Sequence, residues 1–295
     1  MGHFGIRTRK SAFFLSFSIT TMALCVLFGS LLLFWQGAEE KTVGNPQSVA
    51  MENPDERLLA DRRENLLCTV WDGDTPLLVA VLGLYPEARS ITVFCLPMGL
   101  ATSVAGEPMT LGELYGYGGK QLQKEAVEEA TGLIVSRQVS MDVNGVRSLV
   151  DATGALRYSV AIGTSAEHIT ITPGDRVLDG SKVYAYLKGL AELPEERAEE
   201  ALEEQSRLVQ ELIRQNFTEY NAQRTLGLYD EMLPVMETDL TLKDMVGYAP
   251  VLQELSKEYT VNIFFPQGSS GEEGIVLTQE CRERIQSYFA LTSGS

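Results

Sequence analysis

Asp72-Gly73-Asp74-Thr75 places two carboxylates two positions apart, directly after the apolar run Leu66 to Trp71. Mg²⁺ takes oxygen ligands and is commonly shared between a protein carboxylate and substrate phosphates, and open α/β sheets bind ligands at the carboxyl ends of their strands. On that basis the segment is a candidate for holding Mg²⁺ against a phosphate or pyrophosphate. Asp-Gly-Asp is equally good turn chemistry, because glycine supplies positive φ and aspartate bonds to nearby backbone. From these residues alone both readings stand. His168 is the one histidine beyond the extreme N-terminus. A histidine-rich metal site is thereby excluded, a Ser-His-Asp triad would have to run through that residue, and a lone histidine is read as structural or surface. There is no Walker loop, and Gly116-Tyr117-Gly118-Gly119 lacks the dinucleotide spacing. Asn216-Phe217-Thr218 matches a glycosylation triplet that arises often by chance. Cys68, Cys95 and Cys281 are too few and scattered for a disulfide framework. Cys68 and Cys95 are either lone buried thiols or, if their strands are neighbours, a pair.

These residues need a scaffold, and the apolar pattern supplies one. Leu66 to Trp71, Leu77 to Tyr85 and Ile91 to Leu96 read as strands buried on both faces, the last two joined as a hairpin through Pro86 to Ser90. Thr110 and Glu113 have capping-box spacing ahead of a helix stopped by Gly118-Gly119, and a second helix fits Gln121 to Ala130 before Gly132. Then come a strand at Val135 to Met141, a helix at Val143 to Ala152 with Asp142 as N-cap, a strand at Leu156 to Ile162, a turn at Pro173 to Asp175, and a short helix after Asp179-Gly180. From Pro194 apolar residues recur at helical spacing from Ala198 to Ile213, opposite a glutamate-rich face read as solvated, with pairs such as Glu203 and Arg207. Helices around Tyr220 to Leu233 and Leu242 to Leu255, a strand at Thr260 to Phe265 and a last helix at Thr278 to Phe289 follow. This alternation predicts one mixed-sheet α/β sandwich over residues 64–291.

Upstream, residues 11–36 carry no charge and are long enough to cross a hydrocarbon core, which needs roughly 20 apolar residues. Arg7, Arg9 and Lys10 precede this run, and Glu39 and Glu40 follow it. The positive-inside bias therefore predicts a cytoplasmic tail over residues 1–10, a single transmembrane helix over 11–36, and a tether over 37–63. The folded domain is expected outside the cell membrane. The chain carries a formal charge of −16; the tail contributes three positive charges and the span none, so the exported part carries −19. Such a surface repels phosphate backbones and argues against nucleic acid as a partner.

Taken in order, Asp74-Thr75-Pro-Leu-Leu-Val-Ala-Val-Leu, Arg89 to Pro97, Tyr115 to Gly119, Gly145 to Gly154, Leu178-Asp179-Gly180 to Tyr186, Gln205 to Val209, Thr238 to Thr241 and Phe264-Phe265-Pro266 resemble the LytR-CpsA-Psr family of membrane-anchored bacterial envelope proteins. The resemblance spans about residues 65–289. It implies an α/β domain that binds a polyprenyl-pyrophosphate-linked glycan with Mg²⁺ and transfers the glycan phosphate onto peptidoglycan. It makes Asp74 the catalytic and metal-binding carboxylate, with Lys188 and Thr75 toward the phosphates.

Several arginines of the family pattern are missing. Leu96-Pro97-Met98-Gly99 stands where Ile-Pro-Arg-Asp is usual, Tyr186-Leu187-Lys188-Gly189-Leu190 where Tyr-x-Arg-x-Arg is usual, and Ala201 to Gln205 where Arg-x-x-Arg-Gln is usual. The loop between the first two strands is cut to a few residues around Asp72. A unit charge pair at 4 Å contributes about 4 kcal/mol at an effective dielectric of 20. Glu204 in place of an arginine is thus expected to repel a pyrophosphate, unless Arg157, Arg197 or Arg207 compensates. The expectation is impaired transfer. The alternative is a non-catalytic module that holds a lipid or an envelope partner.

Overall fold

Two strands, β1 (Glu64–Asp72) and β2 (Thr75–Tyr85), form an antiparallel hairpin in which Asp72 faces Thr75 across the two-residue turn Gly73-Asp74. Gly73 has φ +60° at the first central position, as a type II′ hairpin turn requires. The tight-turn reading is therefore correct, and it does not exclude function, because the turn opens onto a cavity described below. A second antiparallel turn joins β2 to β3 (Ser90–Cys95) as expected. The computed structural model describes residues 63–289, apart from 105, 219–220, 222–223 and 272. The expected tail and span, with the tether up to residue 62, lie outside the described residues; among those described, no helix is long and apolar enough to cross a membrane.

The short hairpin of β4 (Ala101–Val104) and β5 (Glu107–Thr110) follows. Helix α1 (Leu114–Thr131) is two helical pieces joined across a kink at Gly119 (φ 68°, ψ −161°), where the stop is expected. Glu113 does accept from the Thr110 amide and hydroxyl, both at 2.8 Å, but this contact closes the turn ahead of α1 instead of capping its first turn. Next come β6 (Arg137–Met141) and α2 (Val143–Thr153), whose Asp142 caps the Gly145 amide at 2.8 Å. Then β7 (Leu156–Val160), β8 (Thr164–Ala166), β9 (Ile169–Ile171) and β10 (Gly174–Leu178) lead into α3 (Gly180–Ala191). A 3-10 turn at Glu195–Arg197 precedes α4 (Ala198–Asn216). The remainder is α5 (Thr225–Met232), β11 (Met236–Thr238), α6 (Leu242–Leu255), β12 (Thr260–Ile263), the hairpin β13 (Gly268–Gly271) with β14 (Gly274–Leu277), and α7 (Gln279–Phe289).

Six strands form one mixed sheet in the order β11-β6-β1-β2-β3-β12, with β1/β6 and β12/β3 parallel and the other pairs antiparallel. Side chains alternate across a strand, so β2 feeds two cores. Leu78 and Ala80 join Val146, Val150, Leu156, Val183, Tyr186 and Leu208 under α2, α3 and α4. Val79 and Val81 join Phe94, Leu114, Val127, Ile285 and Phe289 under α1 and α7. The result is the expected α/β sandwich, with helices on both faces of the sheet. Cys68 faces Ala80 across β1 and β2, and Ala80 faces Cys95 across β2 and β3, so the two thiols sit two strands apart with a small residue between them. Both are free, and burial pushes each thiol up to about 12, which keeps them protonated and unreactive.

The glutamate-rich face of α4 needs one correction. Glu203 and Arg207 do pair at the surface, at 2.8 Å. Glu204, however, is only 1 % exposed and turns into the core. Its Oε1 accepts from the Tyr186 hydroxyl at 2.7 Å and from the Ala161 amide at 3.1 Å, and Arg207 Nη1 stands 3.7 Å from Oε2.

Candidate functional site

The carboxyl end of β1, the start of β2, the segment after β3, the C-terminal end of α3, the first turns of α4 and the β13–β14 hairpin enclose a cavity of about 910 Å³. This is at the upper end of the roughly 300–1,000 Å³ usual for small-molecule sites. Its walls are apolar, from Leu77, Leu96, Met98, Leu190, Leu202 and Ile275. α4 is held against β2 by Gln205, whose amide donates to the Leu77 carbonyl at 3.0 Å. Asp72, Asp74, Thr75 and Lys188 lie together at one end, so the structure unites every residue singled out for phosphate chemistry. Asp74 and Thr75 are exposed on the turn.

Lys188 is already bonded. Its Nζ donates to Asp72 Oδ2 at 2.8 Å and to Glu167 Oε1 at 2.6 Å. The hydrogen bond to Asp72, then that to Glu167, holds the lysine well above its usual range. Conversely the Lys188 hydrogen bond, opposed by partial burial and helped by the Tyr184 hydroxyl, keeps the Asp72 carboxyl below its usual value. The pair is thus ionised across the physiological range, and Lys188 is a shielded cation.

One residue of this cluster, Glu167, escapes the sequence reading, as does the pairing of Asp72 with Lys188. Asp72, by sequence a turn residue or a metal ligand, is the partner of a lysine on a helix 116 positions away. Glu167 belongs to no motif in the sequence. It and His168 form the two-residue turn between β8 and β9, with φ of 52° and 62°. Two successive positive-φ positions are the type I′ arrangement, for which Asn-Gly is preferred. The β-branched residues Thr164, Ile169, Thr170 and Ile171 around this polar pair were the available hairpin signal. Holding a residue with a Cβ in the left-handed region costs roughly 1–2 kcal/mol. His168→Gly is therefore expected to stabilise the domain by about 0.5–1 kcal/mol, because glycine's larger unfolded-state entropy offsets part of the relief. A urea titration reads this as a higher midpoint at unchanged slope.

Five carboxylates line the cavity, Asp72, Asp74, Glu113, Glu192 and Glu195, against one cation, Lys188, among the described residues. None of the arginines proposed to compensate is there. Arg197 pairs with Glu200 at 2.8 Å, Arg207 with Glu203 on the outer side of α4, and Arg157 is exposed on β7. Glu204, expected to repel a pyrophosphate, is not a lining residue either. The deficit of positive charge is real, but it arises from Met98, Leu190 and the acidic rim. For Mg²⁺, no group of three His, Cys, Asp or Glu side chains converges into a cage among the described residues. Asp72 and Asp74 alone do not fit a resident metal site, and one of them is committed to Lys188.

A profile of the LytR_cpsA_psr family matches residues 70–288, from the end of β1 into α7. A relative from Enterococcus faecalis named polyisoprenyl-teichoic acid–peptidoglycan teichoic acid transferase TagU is 26 % identical over 166 residues, 54 % of this chain and 53 % of that protein. The match thus spans about half the relative's length. In fold, the chain is similar to an Enterococcus faecalis structure described as a transcriptional regulator, with a TM-score of 0.65 and 21 % identity over 80 % of this chain and 91 % of that one. It is also similar to Bacillus subtilis TagV, with a TM-score of 0.64 and 16 % identity over 79 % and 99 %. With the family profile extending across both cores and the cavity between the elements described above, this chain belongs to the LytR_cpsA_psr family.

Proposed function

We propose that this chain works in cell-envelope assembly by holding the isoprenoid tail of a polyprenyl-carried glycan in its apolar cavity, with transfer of the glycan phosphate to peptidoglycan much slower than in relatives named as transferases. The observation that carries this reading is the cavity itself: apolar walls closing on a head end whose single described cation is already held by Asp72 and Glu167. Binding of an apolar tail needs only the walls. Phosphoryl transfer needs charge stabilisation of the transferring group, and here that charge is scarce. Any Mg²⁺ would arrive with the pyrophosphate and share Asp74, since the protein offers too few free ligands alone. The uncharged run 11–36 would serve as a single-pass anchor with the N-terminus in the cytoplasm, placing the domain beside its lipid-linked ligand outside the cell.

The test is to incubate the full chain with a polyprenyl-pyrophosphate-linked glycan, Mg²⁺ and peptidoglycan fragments, beside an Asp74→Ala variant, and to extract lipid from the purified protein in parallel. Isoprenoid recovered from the protein, with transfer at least about a hundredfold below that of an active relative, a barrier about 2.7 kcal/mol higher, is the expected result. Fast transfer abolished by Asp74→Ala would show an intact transferase instead. A protein that yields no isoprenoid and takes up none would overturn the binding reading.

A further inference from the structure

The end of β2 and β3 opposite the apolar cavity borders a second, polar pocket. There Tyr85 closes β2 and faces Ser90, which opens β3, while Thr92 faces Asn262 on the edge strand β12. Together with Tyr288 near the end of α7 and the ion pair of Arg63 and Glu87, they line a space of about 490 Å³, within the roughly 300–1,000 Å³ usual for small-molecule sites. Alternate residues of β3 share a face, so the row that buries Phe94 under α1 and α7 continues backward as Thr92 and Ser90. Apolar core gives way to hydroxyls. Tyr85 and Ser90 are 9 % exposed and Thr92 is 5 % exposed. The Tyr85 hydroxyl is buried without a hydrogen-bond partner, and the Ser90 and Thr92 hydroxyls make no hydrogen bond either, among the described residues. Buried polar groups are ordinarily paired, so three unpaired hydroxyls around one pocket call for a partner.

We infer that this pocket is a binding site for a neutral sugar, separate from the apolar cavity and independent of the isoprenoid reading of it. Sugar hydroxyls both donate and accept, and so do the hydroxyls of Tyr85, Ser90 and Thr92 and the amide of Asn262. Burial pushes the Tyr85 hydroxyl above its usual range, so it stays protonated and able to donate. The Tyr288 ring is 54 % exposed and offers the flat apolar surface against which the C–H face of a pyranose packs. Arg63 and Glu87 offset each other at 2.7 Å, so the lining carries no net charge to select an anion or a cation.

Isothermal titration of the full chain, held in a detergent without a sugar head group, tests this with glucose, N-acetylglucosamine, glucosamine and glucose 6-phosphate. The proteins compared are wild type, Thr92→Val, which exchanges the unpaired hydroxyl for a methyl of the same shape, Tyr288→Ala, and Tyr117→Ala. Tyr117 is an exposed ring on α1 that does not line the pocket, so its variant makes the same truncation away from the site. At least one of the two neutral sugars is expected to bind wild type saturably, with the two charged sugars at least about fivefold weaker. Thr92→Val and Tyr288→Ala are each expected to weaken that binding about fivefold or more, and Tyr117→Ala to leave it within about twofold. No saturable binding of either neutral sugar up to about 50 mM overturns the inference. So does binding of glucose 6-phosphate or glucosamine as tight as that of the neutral sugars, and so does sugar binding that both pocket variants leave unchanged. Because the probes carry no isoprenoid, these outcomes leave the reading of the first cavity untouched.

Discussion

Glu204→Ala is expected to lower the stability of the domain by about 3 kcal/mol, from the donors it leaves unpaired and the cavity it leaves behind. Oε1 of Glu204 accepts from both the Tyr186 hydroxyl and the Ala161 amide, so truncation orphans two donors in one step. Each buried donor left without a partner costs about 1–3 kcal/mol. The lost side-chain volume in a site 1 % exposed adds a cavity term. Glu204→Gln distinguishes hydrogen bonding from charge. Its amide oxygen can accept from the same two donors, and only the attraction to Arg207 at 3.7 Å is lost, so about 1 kcal/mol or less is expected. Urea unfolding of the three proteins measures this, and Ala and Gln variants of equal stability would show that the Oε1 contacts contribute nothing.

Gly180→Ala is expected to destabilise the domain by about 3 kcal/mol, at the upper end of overpacking. A β-carbon at Gly180 would lie 2.6 Å from Arg147 Cα, and the obstacle is backbone of α2, which cannot rotate away. The same contact organises the start of α3: Asp151 on α2 accepts the Gly180 amide at 2.9 Å, and Asp179 accepts the Lys182 amide at 2.9 Å, satisfying two of the donors that a helix N-terminus leaves free. Moving α3 would also move Lys188, two turns along the same helix. Chemical denaturation should show the loss, and Gly227→Ala in α5, where a β-carbon meets nothing within 4 Å, should instead stabilise by about 0.5–1 kcal/mol. Loss of stability in both would point to a cause other than the approach of α2.

What was legible in the sequence was what local chemistry decides. β2 and β3 announce themselves by unbroken apolar runs, and α2 by Asp142 as its cap. The small hairpins β4–β5 and β8–β9 were not, because three- or four-residue strands leave too little alternation to read. The cavity's acidic rim was legible as missing arginines, but its geometry was not. Glu204 looks like its neighbours in a run of glutamates, and only the rotation of α4 decides that it points inward. Glu167 pairs with a lysine 21 positions away through a turn whose residues lack the usual Asn-Gly signature.

The parallel pairing of β12 with β3 joins Thr260 to Ser90. A contact between segments so far apart in the chain carries a large loop-closure entropy and slows folding. During synthesis the β1–β2–β3 meander emerges early and can form from neighbours alone. The sixth strand, from Thr260, and the β13–β14 wall of the cavity, up to Leu277, follow long after β3 ends at Cys95. Until then the apolar pocket has an open side and an unpaired sheet edge, which is the aggregation-prone stage of such a chain. The pocket is consequently complete only at the end of folding, and a long-chain amphiphile that filled it, as proposed, would also draw the late-arriving segments into place.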